Sequence, residues 1–549
     1  MRIVIDAAEV KTMLTALQAP DRQFQRTYER ILFWAIILLA EFHMFACSFR
    51  EVLPGYSDPC FRLERWIGTA ILAALLIYFG ISAFCYPGTF VKLKALFQKM
   101  PSFEQAYMLW VFVWYIVVLT VWQVIKGNDI NLFKENDWWL FEQALMSFVF
   151  FPLPCIMGSK RAKKLIETMI KLVLIPHMFV WSWILWQYFH MNYIVFPSGG
   201  QLTMLPDMSL SFGYNRNITG AGAMIMMALC LYFIATQEKL RKLPYFFGLT
   251  VYLAILLLSN CRTSWYSTLL IGILGSFFAV WFGLKGRPWL FRIFLGVILA
   301  VGCVIFLHWL RGEIFILLDA SYIRLQDTAA AAETARAYVQ TTQVYGPSLL
   351  KESVSFCPDF SSAGFSSVPL AVETGTAVDF ARTLESDSGG LSGRVPLYKA
   401  CLDVMFSRKL IFFFGIPSSD FGAAMYGQYG IQTYYNHAHN FLLTMGVYYG
   451  VPTMLFTAVF LVLVFVRCFR VLFINKKPIF QGLWMIPVIL AALVAEDMME
   501  SFLNLSAWSM TCISFYLFAG WIVAMDREQR QRRCTKERKN LKGTFPKRK

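Results

Sequence analysis

The chain has 549 residues, of which 57% are hydrophobic and only 15% are charged. A water-soluble protein carries about 25% charged residues, so this composition excludes an ordinary soluble protein. Many windows of roughly 20 residues, the length that crosses a bilayer, contain almost no charge. We therefore predict an all-α, polytopic integral membrane protein with roughly 12 transmembrane helices.

The predicted spans are distributed unevenly along the chain. Residues 31–310 contain the first nine spans, a large loop covers residues 311–439, and residues 440–525 contain the last three. The predicted spans lie near residues 31–48, 66–86, 106–125, 138–157, 168–189, 219–236, 244–259, 263–284, 289–310, 440–466, 481–500 and 505–525. No small-residue cleavage pattern follows the first apolar run, so it is predicted to be an uncleaved span.

The basic residues predict the orientation in the membrane. An even number of spans places both termini on the same side, and the segments on that side carry most of the Lys and Arg. The positive-inside rule then makes segment 1–30 and the tail 526–549 cytoplasmic, and loop 311–439 extracytoplasmic. Arg527–Lys549 has eleven Lys and Arg against two Glu, which is typical of a tail beside membrane lipids and not of nucleic-acid binding.

The large loop is predicted to carry short helices near both ends. Its first part, IRLQDTAAAAETARAYVQ, is rich in helix-forming residues, and its middle, ETGTAVDFARTLESDSGG, is rich in Gly, Ser and Thr. Its last part, RVPLYKACLDVMFSRKL, regains helical periodicity, and Pro396 suits the first turn of that helix. A long loop with helices of its own is usually functional.

Four polar clusters stand at or before predicted helix N-termini on the extracytoplasmic side. They are YNRNITG with Arg216, SNCRTSW with Arg262, SGRVPLYK with Arg394, and NHAHN from Asn436 to Asn440. An Arg opposes the positive end of a helix dipole, but an anion can be shared between the guanidinium and the unpaired N–H groups there. Three such arginines predict binding of phosphate or diphosphate. Taken singly, each is more typical of an Arg that reaches lipid headgroups.

The stretch AEDMMES, from Ala495 to Ser501, lies at the extracytoplasmic end of another predicted span. Acidic residues at that depth cost free energy unless they face protein or water. Two interpretations stay open from the sequence. Either Glu496 or Asp497 pairs with one of the arginines, or both simply mark the end of the span.

Two of the six histidines, His437 and His439, stand one residue apart before an apolar run. On a helix, side chains two positions apart point roughly 200° apart. The pair is therefore a poor chelate, no metal is predicted, and the two side chains are expected to do different jobs. A lone interfacial His is usually structural, yet His is also the commonest general base near neutral pH.

The same part of the chain resembles the bacterial O-antigen ligase and O-antigen polymerase family, over about residues 210–460. His439-Asn440 followed by Gly450 and Thr453 is similar to the family signature. The stretch SGRVPLYKACLDVMFSRKLIFFFGIPSSDF resembles the family's helix that opens with an Arg. LSNCRTSWYSTLLIGILG resembles the family's Arg-bearing turn into a span rich in small residues.

The resemblance implies a membrane glycosyltransferase that is metal-independent, inverting and without a cofactor. The donor implied is an oligo- or polysaccharide linked to a polyprenyl diphosphate. The implied acceptor is a hydroxyl of a glycan, lipid or polymer at the outer face of the bacterial cytoplasmic (inner) membrane.

The resemblance also implies roles for individual residues. His439 would be the catalytic base, and Arg262 and Arg394 would bind the diphosphate, together with the more loosely matched Arg216. Asn440 would orient the base or cap the tenth span. The residues expected to have supporting roles are Asn440, His437 and Gly450.

Two other functions stay open from the sequence: a transporter or exporter of lipid-linked oligosaccharides, and a cell-wall glycan polymerase. A transporter is expected to line the middle of the membrane with charged residues, whereas the distinctive polar groups here cluster at span ends. The His-Asn signature and its glycines favour the O-antigen ligase type over a cell-wall polymerase. The sequence does not separate a ligase from a polymerase, because the family signature serves both.

Overall fold

The structure is a computed structural model that describes residues 98–127, 150–189, 216–326, 390–417, 420–429, 437–474, 482–499 and 510–544, with Arg30 and Trp34. These parts of the chain are helical and contain no β-strand, in agreement with the all-α prediction. The predicted spans 31–48 and 66–86, most of 138–157 and the middle of the large loop lie outside the described residues.

The helices are numbered α1 to α14 in chain order. They are α1 (Ser102–Ile125), α2 (Pro152–Met157), α3 (Ser159–Phe189), α4 (Arg216–Thr236), α5 (Leu243–Leu258), α6 (Arg262–Gly283), α7 (Trp289–Gln326), α8 (Gly390–Ser407), α9 (Lys409–Phe414), α10 (Phe421–Tyr429), α11 (Phe441–Tyr449), α12 (Val451–Phe469), α13 (Met485–Asp497) and α14 (Met510–Thr544). A 3-10 turn at Lys239–Lys242 precedes α5, and a π-helical turn at Arg470–Ile474 follows α12.

Seven of the described helices are long and apolar enough to cross a membrane. They contain the candidate spans Ser102–Ile125, Ser159–Trp186, Thr219–Thr236, Leu240–Leu258, Arg262–Gly283, Trp289–Ile314 and Val451–Ile474. Each of these overlaps a span predicted from the sequence, because an uncharged run of about 20 residues is sufficient to identify such a helix. The chain is therefore built as a multi-pass membrane protein, and the total of roughly 12 spans stays a prediction.

The chain divides into two compact units, Met1–Val304 with Gly393–Lys549, and Ile305–Ser392. In the first unit α4 packs against α5 and α6, and α13 packs against α6 and α4. The packing buries 72% of the apolar window of α4. A Cβ atom on Gly220 would collide with Cys261, so the first turns of α4 and α6 are in close contact. Small residues allow this approach between helices in a membrane.

One buried charged cluster joins three helices of the first unit. Arg467, near the end of α12, forms ion pairs with Glu104 in the first turn of α1 and with Asp526 of α14, the latter at 3.0 Å. Arg530 approaches the same Asp526 at 2.8 Å. Two guanidinium groups and two carboxylates thus neutralise one another, which is what a charged group inside an apolar bundle requires.

The tenth span, predicted as one helix over 440–466, is broken at Gly450, so this prediction is wrong in its geometry. Gly450 has a φ of +85°, and a Cβ there would collide with the main chain of Phe413. The neighbouring Ile416 N–H donates to the Val447 carbonyl at 2.7 Å. The chain therefore bends at Gly450 so that the ends of α9 and α11 can touch, and only Gly permits both the φ value and the contact.

Helices α7 and α8, near the two ends of the predicted loop 311–439, extend further than predicted. α7 continues to Gln326, past residue 310 where the ninth span was predicted to end. α8 begins at Gly390, so Pro396 lies inside this helix and not in its first turn.

Candidate functional site

The start of α6 is joined to the end of α13 by a buried carboxylate. Ser264 Oγ donates to Glu496 Oε1 at 2.6 Å, and Thr263 Oγ1 donates to the same oxygen at 3.4 Å. Glu496 is 1% exposed. A carboxylate is favourable at a helix N-terminus because it faces the positive end of the helix dipole. Glu496 therefore does more than mark the end of a span. It lies at the end of α13 and contacts the first turn of α6, the helix that begins at Arg262.

Arg262 and Arg216 both stand where their clusters were predicted to place them, at the first residue of a helix. Arg262 begins α6 and is half-buried. Arg216 begins α4, and its side chain lies outside the described residues. The next residue, Asn217, accepts a hydrogen bond from Cys261 Sγ at 3.5 Å. The two helix starts that carry these arginines are therefore neighbours.

Asn440 joins the histidine segment to the same end of α13. Its Oδ1 accepts from the Leu443 N–H at 3.0 Å, which caps α11, and its Nδ2 donates to the Met498 carbonyl at 2.9 Å. A side-chain oxygen at this position satisfies an N–H that the helix leaves unpaired. The expected role of Asn440 as a cap is confirmed.

Arg394 also contacts the main chain just after α13. Its Nη1 donates to the Met499 carbonyl, one residue after the acceptor used by Asn440. Because α8 begins at Gly390, Arg394 lies in the second turn of the helix, and the prediction that it opens the helix is wrong. One turn later, Tyr398 Oη donates to the His439 carbonyl at 3.1 Å. The helix α8 thus brings Arg394 and Tyr398 to the histidine segment together.

The two histidine rings face each other, so the expectation that their side chains point apart is wrong. Their ring centroids are 4.2 Å apart, and the His439 N–H donates to His437 Nδ1 at 3.1 Å. The expectation assumed the regular geometry of a helix. The segment is not helical, because His439 adopts a left-handed φ of 49° and the helix begins only at Phe441.

His437 is the more buried of the two histidines and is held in its neutral form. Burial first, and then the nearby His439 and Arg394, together lower the pKa of His437 to about 3. Its Nδ1 accepts the hydrogen bond from His439, so the ring proton of the neutral form is on Nε2. A group with so low a pKa is a poor proton acceptor at neutral pH. His439 is half-buried.

The four polar clusters named from the sequence are joined by one chain of contacts. It runs from Asn217 through Cys261 and Ser264 to Glu496, and residues 498 and 499 continue it to Asn440 and Arg394. The carbonyls of residues 498 and 499 and the hydroxyl of Tyr398 were not predicted from the sequence. A main-chain carbonyl has no signature in the sequence, since every residue carries one.

The fold is that of a helical multi-pass membrane protein, and the site is a group of Arg, His and Asn residues at neighbouring helix ends. Residues 247–458 match the O-antigen ligase family, which is less than half of the 549 residues. The resemblance seen in the sequence is confirmed, and the chain carries a domain of that family, which indicates a membrane enzyme that transfers glycans. No curated protein matches the chain.

The matched region contains most of the proposed site. Arg262, Arg394 and His439 lie inside it, whereas Arg216 and Glu496 lie outside it. Within the described residues, no group of three or more His, Cys, Asp or Glu is placed to hold a metal ion.

Proposed function

We propose that the protein transfers an oligo- or polysaccharide from a polyprenyl diphosphate to an acceptor hydroxyl, as an O-antigen ligase or polymerase does. The observation that carries this proposal is the meeting of Arg394, Asn440 and the start of α6 at the end of α13, in a chain with an O-antigen ligase domain. The arrangement groups cations that can bind a diphosphate with a His that can accept a proton.

In the proposed reaction His439 is the general base. Its imidazole accepts the proton of the acceptor hydroxyl while that oxygen forms a bond to C1 of the donor sugar. The bond between C1 and the diphosphate oxygen breaks, and its electron pair leaves with the diphosphate. A single displacement of this kind inverts the configuration at C1. His437, neutral and buried against the His439 N–H, supports the base and does not replace it.

In the same step Arg262 and Arg394 stabilise the negative charge that grows on the departing diphosphate. A guanidinium presents a planar pair of donors that fits two phosphate oxygens at once. Arg216 is proposed as a third phosphate ligand because it begins α4, whose first turn lies against the start of α6. No step of this reaction needs a metal ion or a cofactor.

The proposed site faces the outside of a bacterial cytoplasmic membrane, with both chain termini in the cytoplasm and loop 311–439 outside. The distribution of Lys and Arg supports this orientation through the positive-inside rule. The donor and the acceptor would then meet at the outer face of the membrane.

The experiment must separate glycan transfer from export of the donor. The purified chain in detergent micelles would receive a fluorescent, synthetic polyprenyl-diphosphate-linked glycan and a glycolipid acceptor. Micelles enclose no compartment, so an exporter yields no product there, whereas a transferase yields glycosylated acceptor and free polyprenyl diphosphate. Absence of both products, with acceptors of the glycan, lipid and polymer classes each supplied, would contradict the proposal and favour the exporter.

A matched pair of variants controls this experiment. His439→Ala should abolish transfer, and His308→Ala should not, because His308 is exposed on the apolar helix α7. Equal activity of the two variants would show that His439 is not the base.

A further inference from the structure

We infer that Thr444 is a positioning residue for transfer, because its hydroxyl holds the left-handed turn that presents His439. This inference rests on the proposed role of His439 as base. Thr444 belongs to α11, is 1% exposed and lies one turn into the helix that follows the histidines. Neither its spacing in the sequence nor its residue type draws attention to it.

The conformation of His439 needs outside support. A φ of 49° is uncommon for a residue with a side chain, and such conformations persist only where neighbouring groups fix them. The His439 N–H donates to His437 Nδ1, and the His439 carbonyl accepts from Tyr398 Oη. These two contacts fix the residue itself, and the flanking peptides need separate restraints.

The Thr444 hydroxyl restrains the peptides on both sides of His439, in addition to the helical hydrogen bond from the Thr444 N–H to the Asn440 carbonyl at 2.8 Å. It accepts the N–H of Ala438, the residue before His439, at 3.3 Å. It also donates to the carbonyl of Asn440, the residue after His439, at 2.7 Å. One hydroxyl can donate once and accept twice, so a single oxygen closes the turn from both sides. A Thr in a helix commonly donates to the carbonyl four residues back, but the second bond, from Ala438, has no part in an ordinary helix.

Thr444→Val tests the inference because it keeps the side-chain shape and removes the hydroxyl. We expect kcat for transfer from the synthetic polyprenyl-diphosphate-linked glycan to fall by about 10- to 100-fold, since a small misplacement of a reacting group has an effect of that size. The KM for this donor should stay within about twofold, because the arginines are untouched. Thr444→Ser keeps the hydroxyl and should recover most of the lost rate.

The matched control is Thr457→Val, which removes another fully buried Thr hydroxyl, on α12 next to Tyr107. It should leave kcat and KM unchanged. A normal kcat in Thr444→Val, or equal losses in Thr444→Val and Thr444→Ser, would overturn the inference. The same holds if Thr457→Val loses as much activity as Thr444→Val, because the effect would then be general to buried hydroxyls.

A second variant covers the case in which Thr444→Val does not fold. Tyr398→Phe removes only the donor to the His439 carbonyl, from a half-buried position. It should lower kcat by about 3- to 10-fold at unchanged KM, the equivalent of one neutral hydrogen bond. An unchanged kcat there would overturn the inference. His439→Ala in the same assay separates the two proposals: if it stays active, the proposed role of His439 as base fails and this inference with it, and if it is inactive while Thr444→Val is normal, only this inference fails.

Discussion

Two arginines of the same chain, Arg467 and Arg394, contact different kinds of polar group. Arg467 is ion-paired with two buried carboxylates, Glu104 and Asp526, and Asp526 also contacts Arg530. Arg394 donates to the Met499 carbonyl, a group without net charge. The first cluster is neutral within itself, whereas Arg394 donates to a main-chain carbonyl and lies close enough to His437 to lower its pKa.

The difference shows why residue type alone is a weak guide to function in a membrane protein. Both arginines are at least half-buried, and both would be costly in an apolar bundle without polar partners. Carboxylate partners make Arg467 a structural tie between α1, α12 and α14. The Met499 carbonyl, which carries no net charge, is one of the groups that hold Arg394 at the end of α13.

The largest expected effect concerns the neutral cluster. Arg467→Ala leaves Glu104 buried without its cation, and such a loss typically destabilises a protein by about 3–5 kcal/mol. Thermal unfolding in detergent should detect it, while transfer per folded molecule stays normal. The exposed Arg532→Ala is the control and should unfold like the native protein. Normal stability of Arg467→Ala would show that the cluster is not structural.

A smaller effect, on activity and not on stability, is expected at the other arginine. Arg394→Lys keeps the charge but loses the planar fork, so transfer should weaken by the equivalent of one charge-assisted contact, about 1.5–3 kcal/mol in kcat/KM. Arg262→Lys should behave alike. Arg408→Lys, at an exposed residue between α8 and α9, should be neutral. Native kcat/KM in both Arg394→Lys and Arg262→Lys would remove these residues from diphosphate binding.

The pH dependence of stability should carry a contribution from His437. Its pKa is lowered from 6.5 to about 3 by burial first, then by His439 and Arg394. Between these pH values the unfolded chain binds a proton that the folded chain does not, so stability rises with pH through this window and levels off above it. The contribution is up to about 1.4 kcal/mol per pH unit. When the pH is lowered from 7 to 5, the unfolding temperature of His437→Gln should therefore fall less than that of the native protein. An equal fall in both proteins would contradict this.

The two regions are also predicted to lie on opposite sides of the membrane, and labelling can test this without any energetic effect. Cys534, exposed on α14 four residues after Arg530, should react with an impermeant thiol reagent only after permeabilisation. A cysteine introduced by Ser386→Cys, in the large loop, should react in intact cells. The reverse pattern would place the proposed site on the cytoplasmic side.

Most of the helical architecture could be predicted from the sequence because it depends on one property, an uncharged run long enough to cross a bilayer. The break at Gly450 could not, since it depends on contact with the main chain of Phe413 in a helix that is distant in sequence. The ion pairs of Arg467 were missed for a similar reason. Its partners are contributed by α1 and α14, and no local pattern connects them.

The residue types that form the candidate site were predicted from the sequence, but the contacts between them were not. Arg262, Arg394 and the histidines were recognised from the sequence because charged and titratable groups are rare in apolar surroundings. The predicted direction of the histidine side chains was wrong, because helical periodicity does not apply to a left-handed turn. Thr444 was missed because its contribution is a pair of hydrogen bonds to the main chain.

Single-turnover transfer by His439→Ala and His437→Ala, compared at equal amounts of folded protein, decides which histidine is the general base. Loss of a general base lowers the rate by roughly 10²- to 10⁴-fold, and this loss is expected for His439→Ala. His437→Ala should keep much of its activity, because His437 is a weak base whose Nδ1 only accepts the His439 N–H within the turn. An inactive His437→Ala with an active His439→Ala would mean that the base is the other histidine. Full activity in both variants would leave Asn440 as a helix cap and this corner without a catalytic role.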